Sequence, residues 1–150
     1  MKLSPVEEYG LRCLMQLARQ AHSAQPTTIR QIAEYEGLST AYVGKLMFLL
    51  QKAHLVQATR GVQGGYVLVK KPSELTVAEV FKALDPQDQT EAICEKFTGS
   101  EDACVHLSAC VLQRVFNGLS EHINGYLRGV TLQDLVPAPP SAALSPAPIS

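Results

Sequence analysis

The stretch Thr27-Thr-Ile-Arg-Gln-Ile-Ala-Glu-Tyr-Glu-Gly37-Leu-Ser39-Thr-Ala-Tyr-Val-Gly-Lys-Leu-Met-Phe-Leu-Leu-Gln-Lys52 decides the fold. A threonine start and a glycine just past the end frame one short helix. The hydroxyl accepts an N–H of the first turn that has no helical partner, and glycine enters the left-handed region without steric cost. Ser39 then caps a further helix. The Gly-Leu-Ser connection has about the length of the tight turn in a helix-turn-helix. Val43, Leu46, Met47 and Leu50 recur at helical spacing and give the second of these helices its inner face, while Thr40, Tyr42, Lys45 and Lys52 occupy its outer face.

Upstream, Ser4-Pro-Val-Glu7 has the form of a capping box with proline at the first helical position. The helix it opens carries Val6, Tyr9, Cys13, Leu14 and Leu17 as one apolar stripe, which makes Cys13 a buried packing thiol. Downstream, Leu55–Thr59 and Tyr66–Val69 are short β-prone runs flanking Arg60-Gly-Val-Gln-Gly-Gly65, which predicts a hairpin with a glycine-rich tip. Three helices followed by such a wing make a winged helix-turn-helix. The expected fold class is therefore mainly α with a small β wing, and its third helix faces a DNA major groove.

Pro72 closes the hairpin, and Thr76-Val-Ala-Glu79 opens a helix through Val80, Phe81 and Leu84 that stops at Asp85-Pro86. A polar loop follows. A long helix is then expected from about Ser108 to Arg128, with Phe116, Leu119, Ile123, Tyr126 and Val130 at spacings of three and four. This seam can pair with a twin helix or pack on its own domain. Pairing is the preferred reading, because winged helices that read DNA usually address two half-sites. The chain divides into a DNA-binding region at 1–71, a helix, cysteine loop and dimerisation helix at 72–136, and a Pro/Ala/Ser-rich tail at 137–150 expected to be disordered.

The net charge of −1 conceals an asymmetry. Residues 1–71 carry Lys2, Arg12, Arg19, Arg30, Lys45, Lys52, Arg60, Lys70 and Lys71 against Glu7, Glu8, Glu34 and Glu36, a balance of +5. Residues 72–150 carry Lys82, Lys96, Arg114 and Arg128 against ten acids, a balance of −6. The first half alone is suited to a polyanion, and double-stranded DNA is the expected partner. Thr40 and Lys45 are the candidates for base readout. Ser39 and Tyr42 are candidates for phosphate contacts and Arg60 for minor-groove insertion at the wing, and Thr28, Gly64 and Gly65 are further DNA-binding candidates. No apolar run approaches the roughly 20 residues of a membrane-spanning helix, and the chain reads as soluble and cytoplasmic.

In a reducing compartment, clustered cysteines point to metal binding or redox sensing rather than to disulfides. Cys94, Cys104 and Cys110 lie in one polar loop, without the paired Cys-x-x-Cys of a zinc ribbon. Three thiolates suit an iron–sulfur cluster whose remaining coordination comes from another residue. A zinc site completed by His106, or three free thiols that switch by oxidation, are the alternatives. A thiol redox enzyme is the remote alternative. No redox Cys-x-x-Cys, no recognisable base near a thiol and no nucleotide-binding glycine loop supports it, so the chain is not expected to be an enzyme.

Arg60-Gly-Val-Gln-Gly-Gly-Tyr-Val-Leu, the preceding Leu-Ser-Thr-Ala-Tyr-Val-Gly-Lys-Leu helix and the cysteine triplet together resemble the IscR/NsrR/RirA-type family of bacterial regulators, from about Met1 to Leu135. The resemblance implies a homodimeric winged-helix transcription factor, expected to be a repressor. A [2Fe–2S] or [4Fe–4S] cluster would tune its operator binding in response to nitric oxide, oxygen, redox state or iron supply. By position, Cys94, Cys104 and Cys110 match the cluster cysteines. Members similar to IscR place a histidine three residues after the last cysteine, where this chain has Gln113. Others use a carboxylate in the first helix of the partner subunit, where Glu8 stands, or a histidine late in the second helix, where Glu36 stands. Glu8 is the preferred fourth ligand, ahead of His106 and Glu36. Otherwise Glu8 is an ordinary first-turn acid stabilised by the helix dipole.

Overall fold

A computed structural model describes residues 4–23, 25–62, 64–84 and 110–136. Helix α1 (Pro5–Gln20) begins at the anticipated capping box. The Ser4 backbone N–H donates to Glu7 Oε2 at 2.7 Å, and the Glu7 N–H donates to Ser4 Oγ at 3.2 Å. Helix α2 (Ile29–Glu36) is capped the same way by Thr28 and Gln31, and it ends at Gly37, whose φ of 66° requires a residue without a Cβ penalty. Helix α3 (Thr40–Lys52) starts from Ser39, whose hydroxyl accepts the Tyr42 N–H at 3.2 Å. Each such cap is worth about 1 kcal/mol.

Strands β1 (Val56–Thr59) and β2 (Gly65–Leu68) form the antiparallel wing, with Val56 opposite Leu68 and Thr59 opposite Gly65. Thr27 pairs with Tyr66 through two backbone hydrogen bonds of 3.0 and 2.9 Å, which ties the wing to the segment before α2. Gly65 permits this approach, since a Cβ there would lie 2.8 Å from the Thr27 carbonyl carbon and oxygen. A 3-10 turn at Pro72–Glu74 leads into α4 (Val77–Leu84), where Glu79 completes the expected capping box with Thr76. Lys70 donates to Glu79 Oε1 at 2.7 Å, and this bond, followed by the Thr76 N–H, holds the Glu79 carboxyl below its ordinary range.

The core is continuous. Cys13, Leu14, Ile32, Val43, Leu46, Met47 and Leu50 are fully buried, and Leu75, Val80 and Leu132, from beyond the wing, complete the same cluster. Each buried aliphatic side chain contributes about 1.5–3 kcal/mol of transfer free energy. The predicted inner face of α3 and the burial of Cys13 are thus observed.

Helix α5 spans Val111–Gly129. It begins later than the expected Ser108, which lies outside the described residues, because Cys110 is extended (φ −75°, ψ 110°) and serves as its cap. The C-terminal end of α5 is anchored by the Val77 N–H donating to the Val130 carbonyl at 2.9 Å, and a short helix α6 (Leu132–Leu135) returns Leu132 to the core. No residue of α5 is buried. The stop at Asp85-Pro86 and the tail from residue 137 lie outside the described residues. Among the described residues, no helix is long and apolar enough to cross a membrane.

Candidate nucleic-acid interface and sensor site

The candidates for DNA contact are distributed over the helix-turn-helix and the wing. Ser39 and Thr40 are exposed where α3 begins, and Thr28 caps the N-terminus of α2. Two helix N-termini therefore offer free backbone N–H groups and positive dipole ends to an anion. Lys45 projects from the exposed face of α3, whose sequence carries no acid, and Arg60 is exposed at the wing beside Gly61. Gly64 and Gly65 shape the return of the hairpin. The Gly64 N–H donates to the Gly61 carbonyl at 2.9 Å. Tyr42 is half-buried, with its ring meeting that of Tyr9 edge-on at 6.0 Å and 82°, so its apolar body packs on α1.

The carboxylates proposed from sequence lie on the opposing surfaces of α1 and α2 and share one cation. Arg12 Nη2 donates to Glu8 Oε1 at 2.7 Å, while Arg12 Nη1 lies 3.8 Å from Glu36 Oε2. Glu36 is only 10% exposed and also accepts a short hydrogen bond from Gln16 Nε2, whereas Glu8 is half-exposed and one helical turn from its partner. Arg12 also lies over the Tyr9 ring at 5.6 Å. A continuous path of contacts therefore runs from Glu8 through Arg12 and Tyr9 to Tyr42 on α3. Arg12 was not singled out from the sequence, although the four-residue spacing from Glu8 carried the signal.

Of the candidate cysteines, Cys110 is described, and Cys94, Cys104 and His106 lie outside the described residues. Cys110 Sγ accepts the Gln113 N–H at 3.4 Å and sits, half-buried, at the N-terminus of α5, where the helix dipole favours an anionic ligand atom. Gln113, at the position where the resemblance implies a histidine in other members, lends its backbone to holding Cys110. The described residues contain no group of three or more His, Cys, Asp or Glu positioned to hold a metal. A soft thiol at a helix N-terminus, together with a surface carboxylate on another element, fits the donor types of an iron–sulfur or zinc centre.

The chain as a whole is similar to known transcriptional regulators. The Rrf2 family model, described as an iron-dependent transcriptional regulator, matches residues 3–138. The HTH-type transcriptional regulator IscR of Photorhabdus laumondii is 31% identical over 137 residues, covering 91% of this chain and 79% of the relative. The solved structure of T. potens IscR superposes with a TM-score of 0.72 at 29% identity, covering 90% of this chain and 85% of that one. CymR, the global cysteine regulator of B. subtilis, superposes equally well, with a TM-score of 0.72 at 27% identity over 90% of this chain and 95% of its own. The family match and the winged-helix architecture lead to one conclusion: the chain belongs to the Rrf2 family of transcriptional regulators.

Proposed function

We propose that this protein is a homodimeric, cytoplasmic repressor whose affinity for a double-stranded operator is set by an iron–sulfur cluster held by Cys94, Cys104 and Cys110, with the partner subunit's Glu8 as fourth ligand. The observation that carries the reading is the position of Cys110. One residue is both a candidate ligand and the cap of an exposed apolar helix, so a change at the sulfur bears directly on the element that would join two chains. Glu8 is favoured over Glu36 because Glu36 is already enclosed by Gln16 and Arg12, while Glu8 is half-exposed.

When bound, such a cluster supplies a redox-active, oxidant-labile cross-link between thiolates and a carboxylate. The chain's own residues would transmit its presence. Were Glu8 to serve as a ligand, Arg12 would be left with Glu36 as its remaining close carboxylate. Arg12 already lies over the Tyr9 ring and Tyr9 meets Tyr42 edge-on, so a loss of the Glu8 pair would be felt on the helix proposed to meet DNA. Such a route works only if Arg12 has two arrangements of different energy in the two states.

Protein purified without oxygen should be coloured and contain iron and acid-labile sulfide. Colourless protein with stoichiometric zinc would overturn the cluster reading. Glu8→Ala should change the visible spectrum or shorten the lifetime of the colour in air while the fold is retained. An unchanged spectrum and lifetime remove Glu8 as ligand. A second reading, a metal-free cysteine switch, is favoured by the likeness to the cysteine regulator CymR. It expects no metal and an operator affinity that depends on oxidant.

A further inference from the structure

Helix α3 buries Val43, Leu46, Met47 and Leu50 completely. Its opposite side presents Ala41, Lys45, Phe48 and Lys52, all exposed, at spacings of four, three and four that align them in one row. Phe48 is 63% exposed in the middle of this row, which is unusual for a ring of its size beside two lysines. Gly44 flanks the row without a side chain, leaving that edge low. A Cβ there would reach Ile29 Cδ1 at 3.9 Å, on the α2 side. The face thus alternates apolar and cationic groups and holds no acid.

Resting on the DNA-binding reading above, we propose that Phe48 is a specificity-determining residue that packs its ring on thymine 5-methyl groups in the major groove. Duplex DNA is the occupant the charge favours. Lys45 and Lys52 bracket the ring, and the first 71 residues carry a balance of +5, from the named lysines and arginines against four glutamates. The reach is suitable, since Phe48 lies seven positions beyond Ala41 and each position rises about 1.5 Å, so these two apolar groups stand about three base steps apart. Thymine alone among the bases offers a methyl group to the major groove, and alanine and phenylalanine are side chains that read it. A protein docked on the same face would bury Phe48 too, but it would show no dependence on thymine methyls.

The test uses the full chain and an operator enriched by it from random duplexes, with each thymine replaced in turn by deoxyuridine, which deletes only the methyl. Wild-type protein should lose about fourfold in affinity at one or two positions per half-site, the value of one buried methyl. Phe48→Ala should bind the thymine and deoxyuridine duplexes equally at those positions and keep its sensitivity elsewhere, and Phe48→Leu should retain part of the discrimination. The proposal is overturned if Phe48→Ala keeps the same deoxyuridine penalty at every position, if it weakens all duplexes uniformly, or if it changes the sedimentation of the protein instead. If wild-type protein, with and without its metal, enriches no duplex, the DNA-binding reading falls and takes this proposal with it.

Discussion

Cys13 and Cys110 are the same side chain in opposite settings, and the settings decide their chemistry. Cys13 is fully buried, and burial first, then the nearby Glu36 carboxylate, pushes its pKa up to about 12. It is a neutral packing group at any physiological pH. Cys110 is half-buried at a helix end, within reach of a ligand or reagent. Alkylation of the native apo-protein near pH 8, read by peptide mass spectrometry, should therefore modify Cys110 and spare Cys13 until the protein is denatured. The Cys13 shift also has a consequence for stability. Above the ordinary thiol value of 9.0 the unfolded chain loses a proton that the folded chain keeps, so stability should fall as pH rises from about 9 towards 12. Denaturant midpoints that fall less steeply across this range in Cys13→Ala than in wild type would verify the assignment. Equal slopes would refute it.

Elements were legible in the sequence where their ends are decided by adjacent residues. Ser4 with Glu7, Thr28 at the head of α2, Ser39 before α3 and Thr76 with Glu79 all act within three positions of themselves, so residue type and spacing suffice. The junction of Arg12 with Glu36 was not legible. It joins side chains on two helices whose mutual placement comes from packing, as does the Gln16 contact with Glu36 across twenty positions. The glycines of the wing show the same divide. The tip reads as a turn from composition, but the specific need at Gly65 comes from the strand-like segment at Thr27 lying against it. Gly65→Ala forces its Cβ into the Thr27 carbonyl, and backbone cannot step aside as a side chain can. A loss of about 1–3 kcal/mol is expected, the scale of overpacking. Chemical denaturation should show it, and amide exchange should show Thr27 and Tyr66 losing protection while α1 keeps its own. Full protection at Thr27 would contradict the account.

At the scale of the molecule, α5 is the longest helix among the described residues, and it buries none of its side chains in the core. Leu112 (65% exposed), Phe116 (44%), Leu119 (51%) and Tyr126 (72%) lie along one stripe of α5, with Val115 beside it, and the helix buries no residue. Most helical stability in proteins comes from tertiary packing of an apolar face, and Val130 and Leu132 tie the C-terminal end of α5 to the core. The spacing of four and three is that of a helical seam, and a second copy of the same helix is the occupant we propose for it. Leu119→Glu places a charge within that seam, so the variant should sediment as a monomer at concentrations where the wild type is a dimer. Its melting temperature should also lose the dependence on protein concentration that dimerisation confers. Losing the partner means losing the second half-site, and the gain from linked sites is roughly a hundredfold or more, so affinity for a complete operator should fall by at least that factor. Affinity for a single half-site should hardly change, because α3 and the wing are remote from Leu119 in the sequence and belong to the closed core. A Leu119→Glu protein that remains dimeric would move the subunit contact off α5. It would also remove the proposed mechanical link between Cys110 and the spacing of the two recognition helices.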